Sequence, residues 1–316
     1  MAESQLRTTE QGNGITAIDT ALLREQFDAS HLIVEAGCAA FVDCGANDSV
    51  PLLLAALAKK NIDAAAVDYV FLTHVHLDHA GGAGVLMQSL PNAKAVLHPR
   101  GAPHMIDPAK LIKGAQAVYG EAEFFRQYGN IEPIPEERVI VAADGDEFSL
   151  GGRLLQSLHT EGHARHHHCF FDAASRSVFT GDSFGLSYRE LDTEKGEFIY
   201  PTSTPVHFDP PEAHKAIDRI MGLEPEQLFL THYSKVTDLD RLAADLHRCI
   251  DDFVVMAMQH ENDADRTVQI HNSMYAYFIA ELGEHGFTGG EEEIREFVAK
   301  DVELNTMGLE FWLDHR

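Results

Sequence analysis

Ten residues constrain this chain more than any others. Thr73 to Gly82 read THVHLDHAGG, directly behind the apolar run VDYVFL. Four side chains with metal-ligand chemistry, His74, His76, Asp78 and His79, fall within six positions. In extended backbone alternate side chains share a face, which puts His74 and His76 on one side, with a rise of about 3.3 Å per residue. Asp78 and His79 then lie where the chain turns, and Gly81–Gly82 allow tight passage into a helix. Neutral imidazole with carboxylate suits zinc, and also iron or manganese. The 19 histidines of the chain make accidental clusters easier, but four ligands behind one apolar strand point to a metal.

One cluster does not close a dinuclear site, so later strand ends should supply further ligands. They do. His163 lies in HTEGHARHHH after the run RLLQSLHT, Asp182 closes SVFTGD, and His232 closes QLFLTHY. Each follows an apolar stretch, and loops gathered at one edge of a strand-built layer commonly carry function.

The order HxHxDH, a GH loop, a GD at a strand end and a TH at a later one resembles the metallo-β-lactamase superfamily over residues 15–236. The resemblance implies a four-layer αββα sandwich, an α/β (α+β) fold, holding two divalent metal ions, with zinc expected and iron or manganese as alternatives. It implies that His74, His76 and His163 hold one ion, that Asp78, His79 and His232 hold the other, and that Asp182 bridges them. Asp78 would also orient the attacking water, as the catalytic carboxylate. One departure is Glu161, where the family often has proline before the GH glycine. Among the histidines of GHARHHH, the resemblance makes His163 the ligand by its GH context. His166 to His168 start a strand or support the ligands, with His167 matching a structural histidine of the family.

The rest of the chain fits that frame. Residues 15–19, 32–36 and 39–43 read as strands with Gly37 at a turn, 50–60 as a helix, and 67–73 and 94–97 as strands. Residues 108–129 have helical spacing interrupted near Gly120. Short strands fill 138–182, with a hairpin turn over 172–175, then a helix spans 210–223 and a last strand 227–233. Residues 238–312 contain three helix-like stretches and no strand. The expected organisation is a metallo-β-lactamase-like domain over 1–236 and a C-terminal helical extension over 237–316, covering the pocket or forming a homodimer interface.

Softer candidates lie in the long loop 184–208, since such loops are usually functional or mobile. Tyr188, Tyr200 and His207 are its candidate substrate contacts. His98 and His104 are expected beneath the pocket or at a helix cap, and Cys169 in the core.

Bulk properties narrow the partners. Fifty acidic residues against 24 basic ones give a net charge of −26, which repels a phosphate backbone and an anionic membrane surface. A small-molecule substrate is expected, with no nucleic acid and no membrane. No basic and apolar leader precedes residue 15 and no apolar run reaches about 18 residues. The cysteines Cys38, Cys44, Cys169 and Cys249 show no CxxC spacing, and this reads as free thiols in the cytoplasm.

The leading function is a hydrolase that directs a metal-activated hydroxide at a small ester-like bond: a thioester, lactone or phosphodiester. The helical appendage resembles that of the class II glyoxalases, which are thioesterases, although the sequence around the last histidine differs. The alternatives are an iron-dependent oxygen or sulfur redox protein and a non-catalytic regulator. Diiron flavoproteins of the family carry Glu where this chain has His76, whereas sulfur dioxygenases keep HxHxDH.

Overall fold

Alternation of side chains along apolar strands decides the architecture. The computed structural model describes residues 5–203 and 206–316. Seven strands form the first sheet in chain order: β1 (Thr8–Gly12), β2 (Ile15–Asp19), β3 (Ala29–Glu35), β4 (Cys38–Val42), β5 (Val67–Phe71), β6 (Lys94–Leu97) and β7 (Val139–Val141). Pairing is antiparallel as far as β4 and parallel from β4 to β7. The second sheet has β8 (Glu147–Leu150), β9 (Arg153–His159), β10 (His168–Asp172), β11 (Ser177–Gly181), β12 (Gln227–Leu230) and β13 (Ser234–Val236), in the spatial order β13-β12-β11-β10-β9-β8.

Along β5 the odd positions Tyr69 and Phe71 join a core shared with Phe148, Phe170, Phe179 and Phe229 of the second sheet. Phe71 and Phe170 meet at 4.7 Å between ring centroids. The even position Val70, with Leu72 just past the strand, packs instead with Leu53 and Leu57 of helix α1 (Val50–Lys59). A strand buried on both faces is apolar on both, which is why the run YVFL beyond Asp68 lacks a polar face. Emptying one such position, as in Phe71→Ala, costs about 3–5 kcal/mol.

The remaining helices are α2 (Leu77–Ala80), α3 (Ala83–Ser89), α4 (Ala102–Ile106), α5 (Ala109–Tyr119), α6 (Glu121–Tyr128), α7 (Pro210–Met221), α8 (Leu239–Gln259), α9 (Arg266–His285), α10 (Glu291–Phe297) and α11 (Ala299–His315). The break expected near Gly120 separates α5 from α6, where φ is +79°. Helix α7 starts as its sequence suggests: Asp209 caps it by accepting from the Glu212 amide, and Pro210 opens the first turn. Two mixed sheets with their helices make the expected sandwich class, and α8–α11 are the C-terminal helical extension.

Three details differ from the sequence reading. The expected third helical stretch is two helices, parted at Val298. Strand β13 follows the expected last strand. Strand β1, TTEQG, was not anticipated because it is polar along its length and gives no periodic signal.

The chain divides into two compact units. One comprises the described residues up to 159 together with 166–181 and 225–235, and holds both sheets except Val236. The other comprises 160–165, 182–224 and 236–316, and holds α7–α11. In the second unit Tyr200 packs on Phe278 at 4.9 Å and Tyr188 on Phe297 at 5.8 Å. Ser203 binds Asn305 of α11 through its amide, at 2.6 Å, and its hydroxyl, at 2.9 Å. Among the described residues no helix is long and apolar enough to cross a membrane.

Candidate metal centre

In the sheet unit, five of the seven expected ligands follow strand ends. The backbone leaves β5 at Phe71 and places His74 and His76 with Nε2 and Nδ1 only 2.9 Å apart. The His79 ring, on α2, lies 4.0 Å from that of His74. Asp78 Oδ2 lies 3.3 Å from His232 Nε2, beyond β12, and 3.6 Å from His79 Nε2. Ligand atoms of Asp78, His79 and His232 all lie within 4.8 Å of one another, the spacing a single cation needs.

The far nitrogens of these rings are tied down. His79 Nδ1 donates to Asp43 Oδ2 at 2.8 Å and His232 Nδ1 donates to the Phe27 carbonyl at 2.9 Å. His74 Nδ1 donates to Thr73 Oγ1 at 3.2 Å, and that hydroxyl donates on to Asp43 Oδ2 at 2.9 Å. With the protons fixed outward, the basic nitrogens face Asp78 and each other. A divalent cation requires that tautomer, and carboxylate or carbonyl partners are how metal-binding histidines are usually held. The donor set fits a metal.

Asp43 is the functional residue the sequence reading missed. It also accepts from the Thr73 amide and from Thr231 Oγ1, both at 2.8 Å, so one buried carboxylate ties the ends of β4, β5 and β12. A signal existed: FVDCG places a carboxylate directly after an apolar strand, the rule that selected Asp182. Asp28 was missed as well. It is buried, accepts from Thr20 Oγ1, and burial pushes its carboxyl up to about 7, against the pull of His232.

The HHH run supports the site without joining the three-ligand group. His167 is buried with its ring 4.9 Å from His74. Gly181 leaves room for it, since a Cβ there would stand 2.6 Å from both His167 Nε2 and Thr73 Oγ1. His168 opens β10, donates from Nε2 to the Leu72 carbonyl at 2.7 Å, and is pushed down to about 3 by burial. His166 faces His76 at 5.6 Å between centroids. His98 is buried against His159 and His104 is half-buried on α4, while Cys169 is in the core, as expected of it.

The other two expected ligands belong to the helical unit and pair there. His163 Nε2 lies 3.5 Å from Asp182 Oδ2, both residues are buried, and His163 Nδ1 donates to the Thr202 carbonyl at 3.2 Å. Of the candidate substrate contacts in the same unit, Tyr188 and Tyr200 are fully buried in aromatic packing. His207 lines an open hollow of about 750 Å³ with Glu161, Arg165, Phe311, Trp312 and Arg316.

The sequence profile of the metallo-beta-lactamase superfamily matches residues 26–232. The chain belongs to this superfamily. Its fold implies divalent metal binding, and the histidines and aspartates above form a candidate site for it. A metallo-beta-lactamase fold-containing protein of Sulfurisphaera tokodaii is 29% identical over 170 residues, covering 52% of this chain and 60% of the relative. An atrochrysone carboxyl ACP thioesterase of Aspergillus fumigatus is 30% identical over 117 residues, 37% of this chain and 27% of the relative. The chain thus spans less than two thirds of the length of either curated relative. Among solved structures, a metallo-beta-lactamase family protein of Thermus thermophilus superposes with a TM-score of 0.69 at 17% identity, covering 96% of this chain and 94% of its own. At that identity the likeness concerns the fold alone.

Proposed function

We propose that this superfamily member is a dinuclear metal-dependent hydrolase of a small ester-like substrate, with a thioester ahead of a lactone or a phosphodiester. The observation that carries the reading is the Asp78–His79–His232 group, whose outer nitrogens are held by Asp43 and the Phe27 carbonyl. The thioester preference takes its support from the fungal relative named as a thioesterase. In this reading His74, His76 and His163 hold one ion, Asp78, His79 and His232 the other, and Asp182 is shared.

When bound, two divalent ions would supply Lewis acidity towards the attacked carbonyl and make a water acidic enough to react at neutral pH. The chain's own residues do the remainder. Asp78 offers a carboxylate oxygen that can accept a hydrogen bond from the attacking water and fix its direction. Asp43 keeps the proton of His79 on Nδ1, so that Nε2 stays basic. Thr73 and Thr231, both donating to Asp43, hold the segments that carry His74 and His232 at fixed spacing.

The substrate in this proposal is a small molecule, because the charge of −26 repels nucleic acid and anionic membrane. The compartment is the cytoplasm, where four free cysteines stay reduced. The helices after Val236 offer a homodimer interface. The deciding experiment combines elemental analysis of protein purified without added metal with assays on thioesters, lactones and phosphodiesters. About two ions per chain and turnover of a thioester are expected. A single iron with no second metal and no hydrolysis would replace this reading with an iron-dependent redox one.

A further inference from the structure

Helices α7 and α8 each carry a histidine followed four residues later by an aspartate: His214 and Asp218 on one, His247 and Asp251 on the other. Residues four apart share a helix face, and the two faces meet reciprocally. His214 Nε2 donates across to Asp251 Oδ1 at 3.2 Å, and His247 Nε2 donates back to Asp218 Oδ1 at 3.3 Å. The two imidazoles then point their Nδ1 atoms at each other, 2.6 Å apart.

The ring planes differ by only 10° and the centroids are 4.9 Å apart, so the rings lie edge to edge with their nitrogens head-on. The carboxylates keep each ring's proton on Nε2, which leaves both Nδ1 lone pairs facing inward. Two such lone pairs at that distance demand a cation. Two neutral imidazoles and two carboxylates carry a net charge that one shared proton halves and one divalent ion cancels. Neighbouring cations are already engaged: Lys215 with Glu212 and Arg248 with Glu281, each at 2.7 Å.

We propose that His214 and His247 form an additional metal site, taking a first-row divalent transition ion, zinc above all, through their two Nδ1 atoms. Asp251 and Asp218 act as the carboxylates that orient the ligands, the arrangement metal-bound histidines generally show. Zinc at its usual distance from two imidazoles places their nitrogens roughly 3.3 Å apart. Small side-chain rotations reach that spacing, because both rings are about a third exposed, at 27% and 31%. Water completes the coordination from the solvent side. The ion staples α7 to α8, so its binding free energy adds to the stability of the helical unit.

The test uses the full-length protein with its higher-affinity zinc already bound, titrated with further zinc in a calorimeter and followed by thermal unfolding. One more zinc per chain is expected, with a rise in the unfolding temperature at saturation. His214→Ala and His247→Gln should each weaken that event at least tenfold and abolish the rise, while hydrolytic turnover stays unchanged. Asp251→Asn should weaken it less. If a variant misfolds by circular dichroism, Asp218→Asn with Asp251→Asn provides the same comparison through the orienting pair. The proposal is overturned if the wild type takes no further zinc, or if the histidine variants bind it equally well. A pH-dependent difference in stability between wild type and His214→Ala, without zinc binding, would identify a shared proton instead.

Discussion

Asp43 accepts hydrogen bonds from His79, Thr73 and Thr231 at once, so its removal affects the ligand-bearing segments before it affects the fold. Asp43→Ala leaves buried donors unmet, at a stability cost of about 1–3 kcal/mol. Loss of a supporting carboxylate should lower metal affinity or turnover by roughly 10–100-fold. Asp43→Asn retains one acceptor and should fall between. Metal content and turnover of both variants check this, and an Asp43→Ala protein with full metal content and wild-type turnover would remove Asp43 from the site. Asp182 should matter more. In the proposed reading Asp182 is shared by both ions, so Asp182→Ala should cost more than about 100-fold, beyond the effect of losing a supporting carboxylate. Asp182→Asn keeps the shape without the charge, and circular dichroism should show both variants folded. Asp182→Ala retaining two metals and near-normal turnover would end the bridging role and the dinuclear reading with it. Candidate ligands such as His74 and Asp78 stood out in the sequence because their spacing is local. Asp43 was not, because its partners Thr73 and Thr231 lie 30 and 188 residues away.

Among the elements, helix α11 shows how a loop is fixed by backbone proximity rather than by side-chain pattern. A Cβ at Gly308 would stand 1.8 Å from the Ser203 carbonyl oxygen, which only glycine permits. Gly308→Ala must therefore push the loop off the helix and strain the Ser203–Asn305 hydrogen bonds, a distortion typically worth about 1–3 kcal/mol. A lower unfolding temperature and faster amide exchange at residues 186–203, with helix content unchanged, are the expected signs. Wild-type exchange there would mean that the loop holds without α11. The strand before the first candidate ligand cluster was legible because burial on two faces makes it apolar beyond Asp68, as in YVFL. The packing of Tyr188 and Tyr200 was not, since an aromatic in a long loop reads equally as a substrate contact or as core. Phe278 and Phe297, which bury them, lie in separate helices. Strand β1 is held by backbone pairing to β2 and carries no apolar alternation, so its sequence is silent.

Over the whole molecule, buried neutral histidines contribute to the response to acid. His31 packs against the mutually stacked rings of Phe179 and Phe229, with Nε2 3.3 Å from Ser234 Oγ, and burial pushes it down to about 4 despite Asp43 nearby. His168 is pushed down to about 3 for the same reason. Both bind a proton more readily in the unfolded chain, where an ordinary histidine titrates at about 6.5. Their contribution is therefore fully present above that pH and is lost as pH falls towards the folded values. Between about pH 7 and pH 5 each should cost about 2 kcal/mol of stability. Asp28 acts with the opposite sign. Its carboxyl, pushed up to about 7, keeps its proton in the folded state, so its contribution is present in acid and lost as pH rises through that value. The net slope mixes these effects with the general acidity of the chain, so a single denaturation curve does not isolate any of them. A difference does. His31→Asn removes one titrating group and leaves His168 and Asp28 in place. The stability lost between pH 7 and pH 5 should then be about 2 kcal/mol smaller in the variant than in the wild type, whatever its absolute stability. Urea unfolding of both proteins at the two pH values measures this directly. Equal losses in the two proteins would show that His31 titrates normally in the folded state and that its place between the sheets is not what makes the fold sensitive to acid.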